Sequence, residues 1–395
     1  MNLAFGKFVD RWIGIPLVQL CRLIEAVRAA LGGRGRPEMR SILLIKLWGA
    51  GNVVLLLPIV RRLRRTFPEA RITFLTLRGN GALLAATPDV DEVLELDVRG
   101  PFRFLASLLG VLAALRRARC VLSIDFEQFC RLSSLVAWLS GAVQRVGLRT
   151  EGQSRHQLST VVVPYRDDQH MSRTFFDLAR AVGVDGEYRC ESPELPAAVR
   201  ERVGAIVAES RELGRGPLLV VHVGSGHNFV GRRWPAENFG ELLARIGPRH
   251  DARILFTGVP DEAPLVAVAM APVADRARSL IGDLTLLELV GLVAAADALF
   301  CNDTLPVHVA SAVGTPVYAF YGPNTPRLYG PLHGRGHAFY RALPCSPCLT
   351  NLNAKESACR LPVCMESISV DEVEGVFEAD HAWSGAAAVR EEGAS

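Results

Sequence analysis

From Ile42 onward, short apolar runs alternate with longer stretches whose apolar residues recur every three to four positions. A continuous apolar run of four to eight residues marks a strand covered on both faces. The longer period belongs to helices packed on such a sheet. The pattern predicts strands at Ile42–Leu47, Arg71–Leu77, Val93–Leu96 and Cys120–Asp125, with helices at Val53–Phe67, Phe104–Arg117 and Cys130–Ser140. Residues 151–216 are less regular, with a helix at Ser172–Val182 and a Pro-, Glu- and Arg-rich join over Glu191–Pro217. The alternation then restarts. Strands are expected at Leu218–Val223, Ala252–Thr257, Ser279–Ile281, Ala298–Cys301 and Val317–Tyr321, and helices at Ala236–Ile246, Pro260–Ala271, Thr285–Ala295 and Pro306–Val313.

Strand–helix–strand alternation builds parallel sheets with right-handed crossovers. The expected fold class is α/β, with two Rossmann-like parallel-sheet domains at residues 41–190 and 217–344, joined by a linker over 191–216. Residues 1–40 read as an amphipathic helix and linker, 345–380 as a cysteine cluster with a C-terminal helix, and 381–395 as a disordered tail.

Composition narrows the class of function. A chain of 395 residues that is 49% hydrophobic can bury a large core. Its net charge of +3 is too small to imply a nucleic-acid partner. Arginines crowd the first half, at Arg61, Arg62, Arg64 and Arg65 and again at Arg116, Arg117 and Arg119. They suit either an anionic partner or two solvated helix faces. No apolar run is long enough for a membrane-spanning helix. Over residues 3–31, Trp12, Ile13, Leu17, Leu20, Ile24 and Val27 recur at near-helical spacing among basic residues. Such a helix either packs on the body of the protein or makes peripheral contact with a membrane surface. Nine cysteines without a recognisable signal peptide argue for reduced thiols and a cytoplasmic location.

Each half carries a glycine turn after its first strand, where open α/β sheets bind ligands. In the first half this is Gly49-Ala50-Gly51, with Asn52 at the tip. A dinucleotide fingerprint needs a third glycine where Val54 stands, and an acidic residue where the second strand ends in Arg78. A dehydrogenase is therefore disfavoured. In the second half the turn is Gly224-Ser225-Gly226, followed by Arg232 and Arg233. Asn302-Asp303-Thr304 sits where a strand ends and a helix carrying His308 begins. Asp303 or Thr304 can cap that helix, and its free N–H groups and dipole suit a diphosphate. Either arginine can neutralise charge on a departing diphosphate. Cys345, Cys348, Cys359 and Cys364 have spacings that permit a structural zinc or iron, or else form a cluster of free thiols.

In order and spacing, the stretch Lys46–Pro58 and the motifs around Gly224, Arg232, Gly282-Asp283, Cys301–Pro316 and Phe320–Pro326 resemble the bacterial heptosyltransferases of lipopolysaccharide core assembly. The resemblance implies a GT-B architecture, two Rossmann-like domains facing a cleft. It implies inverting transfer from a nucleotide-sugar donor, often ADP-heptose, to a lipid-linked glycan acceptor, without a catalytic metal. The candidate donor-binding residues are Gly49 and Gly51 together with Gly224, Ser225, Arg232, Arg233, Asn302, Asp303, Thr304 and His308. Two departures stand out. The family's first loop usually ends Gly-Asp, with the aspartate as general base; here Asn52 stands in its place, and an amide cannot take up a proton. Asp125 and Glu127, just past a strand end, are the candidate replacements, ahead of His156 and His170. A sugar-nucleotide binding or scaffold protein with weakened catalysis is the alternative. Leu305 occupies a position where the family prefers glycine, which narrows the space beside the phosphates.

Overall fold

The computed structural model describes residues 10, 12–30, 39–226, 229–353 and 355–380. The expected basic linker Gly32–Pro37 and the tail 381–395 lie outside the described residues. The chain divides into two units. The first holds Met1–Pro196 with Arg327–Tyr329 and Leu349–Glu356, and the second holds Ala197–Pro326, Gly330–Cys348 and Ser357–Ser395.

In the first unit, helix α1 (Gly14–Ala30) precedes β1 (Ser41–Ile45), α2 (Ala50–Thr66), β2 (Arg71–Leu77), α3 (Gly81–Ala85), β3 (Glu92–Leu96), α4 (Pro101–Ala118), β4 (Leu122–Asp125), α5 (Arg131–Leu139), β5 (Gln144–Arg149), β6 (Val161–Pro164) and α6 (Met171–Arg180). The six strands form one sheet in the order β3-β2-β1-β4-β5-β6, and every pair is parallel. Every residue of β1 is buried, as a central strand covered by helices on both faces requires. The strand order reverses between β1 and β4, and the carboxyl ends beside that switch point are where such sheets bind ligands.

The second unit runs α7 (Ala197–Glu209), β7 (Leu218–His222), α8 (Ala236–Arg249), β8 (Arg253–Thr257), α9 (Ala263–Met270), β9 (Ala277–Ser279), α10 (Leu286–Ala295), β10 (Ala298–Asn302), α11 (Leu305–Val313), β11 (Val317–Tyr321) and β12 (Gly336–Tyr340). Its parallel sheet has the order β12-β11-β10-β7-β8-β9, the same winding as the first. An aromatic cluster fills the core. Trp234 stacks on Phe320 at 4.2 Å and meets Phe239 edge-on at 5.0 Å between ring centroids. A helix over residues 370–380 seals this core with Val373 and Phe377.

Strands β5, β6 and β12 escape the hydrophobic pattern. β5 reads QRVGLR, and its Arg145 is buried because it donates to Leu158 O (2.7 Å) and Ala142 O (2.7 Å) and pairs with Glu25 (2.8 Å). β6 and β12 are edge strands with partly exposed residues. The irregular join before Pro217 contains the regular helix α7.

Candidate functional site

The loop after β1 is built around a buried ion pair. Lys46 and Glu127 are 1% and 0% exposed and lie 3.0 Å apart. The second oxygen of Glu127 accepts Leu47 N (2.7 Å) and Trp48 N (2.8 Å), and Lys46 Nζ also donates to Gln128 Oε1 (3.0 Å). This carboxylate therefore holds the entry to the glycine turn. Gly49 takes φ 85°, a left-handed conformation that favours glycine. A Cβ there would come within 2.9 Å of Asn52 Nδ2, so the Asn52 side chain lies over Gly49. Gly51, expected in the turn, lies inside the first turn of α2. Asn52 N donates to Gly49 O (2.9 Å), and its side chain is half-buried.

This geometry corrects the reading of Asp125 and Glu127 as replacement bases. Glu127 has both oxygens engaged and no exposed surface. Asp125 is buried, pairs with the buried Arg155, and accepts Ser133 Oγ (2.8 Å) and Glu127 N (3.0 Å). Burial pushes the Asp125 carboxyl up while Arg155 opposes the shift. His170 caps α6 by accepting Ser172 N (3.2 Å), and burial holds the His156 imidazole below its usual range. Two of the α2 arginines, Arg61 and Arg64, are also engaged within the unit. Arg61 pairs with Asp89 and Glu191 (2.8 Å), and Arg64 pairs with Asp91 and donates to Ala70 O (2.6 Å).

In the second unit Ser225, Arg232, Arg233 and Asp303 come together. Arg232 donates to Ser225 O and to Asp303 O (3.3 Å), and lies 3.7 Å from the Asp303 carboxylate. Arg233 donates to Ser225 Oγ (3.2 Å) and Gly226 O (3.3 Å). Both guanidiniums thus fold over the Gly224–Gly226 turn at the end of β7. Their backbone is pinned from below: Trp234 N donates to Asn302 Oδ1 (2.8 Å), and Trp234 Nε1 to Ile368 O (2.9 Å). Asn302 Nδ2 reaches Val223 O (2.7 Å), so this wholly buried amide is a clamp between strands and not a ligand group. Arg232 Nε is buried with no hydrogen-bond partner among the described residues. An unsatisfied buried donor beside a phosphate-type turn is the kind of group a bound oxyanion would satisfy.

Thr304 is the N-cap residue of α11 through its backbone, with no side-chain capping bond, and Asp303 accepts Asn324 Nδ2 (2.8 Å). The expected side-chain cap is therefore absent. His308 sits one turn into α11, where burial lowers its pKa to about 4 and keeps the ring neutral. One residue escaped notice in the sequence. Glu262, just past β8 and 3% exposed, accepts Gly226 N (3.2 Å) and Val259 N (3.2 Å). A Cβ on Gly224 would collide with this carboxyl group. The signal was an acidic residue after the second strand, the test that Arg78 failed in the first half.

The expected structural zinc or iron at Cys345, Cys348, Cys359 and Cys364 is not supported. Among the described residues, no three His, Cys, Asp or Glu side chains converge on a point that could hold a metal ion. Cys348 Sγ accepts Ser357 Oγ (3.2 Å), and Cys359 Sγ donates to Leu361 O (3.3 Å). Burial, with charge from the other three cysteines, pushes the Cys364 thiol up.

The sequence profile described as glycosyltransferase family 9 (heptosyltransferase) matches residues 114–358. Lipopolysaccharide heptosyltransferase 2 of Escherichia coli is 25% identical over 306 residues, covering 74% of this chain and 85% of that protein. The solved structure of a family 9 glycosyltransferase from Veillonella parvula superposes with TM-score 0.73 at 20% identity, over 87% of this chain and 98% of that one. The structure of the E. coli ADP-heptose lipopolysaccharide heptosyltransferase II gives 0.68 at 19% identity, over 86% and 98% of the two chains. The two doubly wound sheets are thus the Rossmann-like halves of a GT-B fold. With the profile spanning more than half its length, the chain belongs to glycosyltransferase family 9, the heptosyltransferases.

Proposed function

We propose that this protein transfers a heptose-like sugar, with inversion, from an ADP-linked donor bound to the second unit onto a lipopolysaccharide-core or other lipid-linked envelope glycan bound to the first. The observation that carries the donor half is the Arg232–Arg233 pair folded over the Gly224–Gly226 turn beside the start of α11. As the glycosidic bond to phosphate breaks, negative charge grows on the diphosphate. Two fixed guanidiniums, the turn's N–H groups and the α11 dipole stabilise that charge, so the reaction as proposed needs no metal. Glu262, buried and accepting Gly226 N and Val259 N, holds the shape of that turn. The name of the E. coli structure, ADP-heptose heptosyltransferase II, supports adenine as the base.

On the acceptor side, Asn52 can orient a hydroxyl through Oδ1 but cannot take its proton. With Asp125 and Glu127 committed to buried ion pairs, this favours a second reading in which binding persists and catalysis is weak. A thermal-shift panel of nucleoside diphosphates and their sugar conjugates tests the donor half. Stabilisation by ADP or ADP-heptose, absent in Arg232→Ala, is expected, since a ligand specific to the native state raises its melting temperature. No stabilisation by any nucleotide would overturn the transferase reading. A transfer assay of wild type against Asn52→Asp then separates the two. Appearance of transfer only in the variant supports the binding-protein reading.

A further inference from the structure

Helix α1 is inverted relative to an ordinary surface helix. Its inward side is held by polar contacts. Glu25 pairs with Arg145 (2.8 Å) and accepts Trp138 Nε1 (3.0 Å), and Gln19 donates to Gln157 (3.0 Å). Just before the helix, Asp10 accepts Arg131 N (2.8 Å) and Leu132 N (3.0 Å) at the start of α5. Val18 is buried with Leu135 and Trp138 of α5, and a Cβ on Gly14 would press on the Arg131 side chain at 3.1 Å. At 3.6 residues per turn, Leu17, Leu20, Leu23, Ile24 and Val27 fall on the other side in an arc of about 120°. All five are exposed, Leu23 by 63% and Val27 by 54%. A soluble helix turns its apolar arc inward; this one is fastened with the arc outward.

A second apolar stripe belongs to the same unit. On α4, Phe102, Leu105 and Leu109 are 87%, 54% and 59% exposed at spacings of three and four residues. Right-handed crossovers put α4 and α5 on one face of the sheet, because β3→β4 and β4→β5 step in the same direction. Helix α1 packs on α5, and Arg116 Nε donates to Leu139 O (3.0 Å), joining the ends of α4 and α5. Charge on this face has one sign. No acidic residue occurs between residues 98 and 124, whereas Arg103, Arg116, Arg117 and Arg119 do, all exposed. On α1 the single acid, Glu25, is turned inward to Arg145.

We propose that the α1–α4 face of the first unit is a docking surface for an anionic phospholipid bilayer. Exposed apolar side chains enter the interface between headgroups and acyl chains while arginines engage lipid phosphates. A second copy is disfavoured as the occupant, because a two-fold contact would set arginine against arginine. The inference agrees with a lipid-linked acceptor but does not depend on it.

The test is co-sedimentation of the full chain with vesicles of phosphatidylethanolamine and phosphatidylglycerol, against vesicles of phosphatidylcholine alone. We expect retention on the anionic vesicles that weakens with salt and on the neutral lipid. Leu20→Glu with Leu23→Glu should cut retention at least about tenfold, and Phe102→Ser with Leu105→Ser independently several-fold. All four positions are exposed, so melting temperature and ADP stabilisation should not move. Equal retention of wild type and both variants, or no retention of wild type, overturns the inference. So does a dimer, seen by light scattering, that the α1 variant dissolves without any vesicle binding. Failure of ADP to stabilise the chain would sink the transferase reading and leave vesicle binding standing.

Discussion

Glu127→Gln discriminates between a base and a clamp. The amide keeps an oxygen for Leu47 N and Trp48 N but turns an N–H₂ group toward Lys46 Nζ, now 3.0 Å from a carboxylate oxygen. Lys46 is 1% exposed and among the described residues keeps Gln128 Oε1 as its close polar partner. Removing one member of a buried ion pair costs about 3–5 kcal/mol, because the remaining charge is uncompensated. For a unit of this size that lowers the melting temperature by on the order of 10 °C. Replacing Lys46 as well, in Lys46→Met with Glu127→Gln, removes the orphaned charge and should recover more than half of the loss. Stability is read by denaturant and thermal unfolding of the two variants and wild type. Transfer is measured at a temperature where all are folded. A clamp loses stability and keeps transfer within about tenfold, whereas a general base contributes about 10²–10⁴-fold to rate. A Glu127→Gln variant that melts with wild type and loses transfer by a thousandfold would refute the structural assignment.

Three other outcomes follow from the second unit. Gly224→Ala should abolish stabilisation by ADP at concentrations that stabilise wild type, because the added methyl displaces Glu262 from Gly226 N and Val259 N; an unchanged thermal shift would contradict this. Asn302→Ala leaves Trp234 N–H and Val223 C=O buried without partners and should cost about 2–4 kcal/mol by denaturant unfolding. A loss under about 0.5 kcal/mol would mean that water replaces the amide. His308, with its pKa lowered to about 4 by burial, binds fewer protons when folded than when unfolded, so its contribution is full above about pH 6.5 and is lost as pH falls toward 4. Wild type should therefore lose up to about 3 kcal/mol relative to His308→Gln across that window. An equal pH slope for both proteins would show that the ring is not held neutral.

The period of apolar residues alone was enough to place the central strands β1, β2, β4, β7, β8, β10 and β11 and most of the helices between them, α3 and α7 excepted. A strand buried on both faces must be apolar at every position, and that constraint is local. The local motifs of the second unit were legible for the same reason: a glycine turn, an arginine pair and a strand-to-helix junction each lie within a few residues of sequence. The edge strand β6 and the arginine-bearing β5 were not, because an edge or a buried arginine is stabilised by partners elsewhere in the chain. The same limit governed the roles of side chains. Asp125 and Glu127 read as free acids past a strand end until folding set Arg155 beside one and Lys46 beside the other. Four cysteines at suitable spacings do not, among the described residues, form a group that could hold a metal ion, because ligation needs the right convergence in space. Helix α1 was visible as amphipathic, but only its anchoring through Glu25 and Val18 decided which side faces outward. Local periodicity follows from backbone geometry, while the partner of a charge and the outward face of a helix are long-range choices that exist only once the chain has packed.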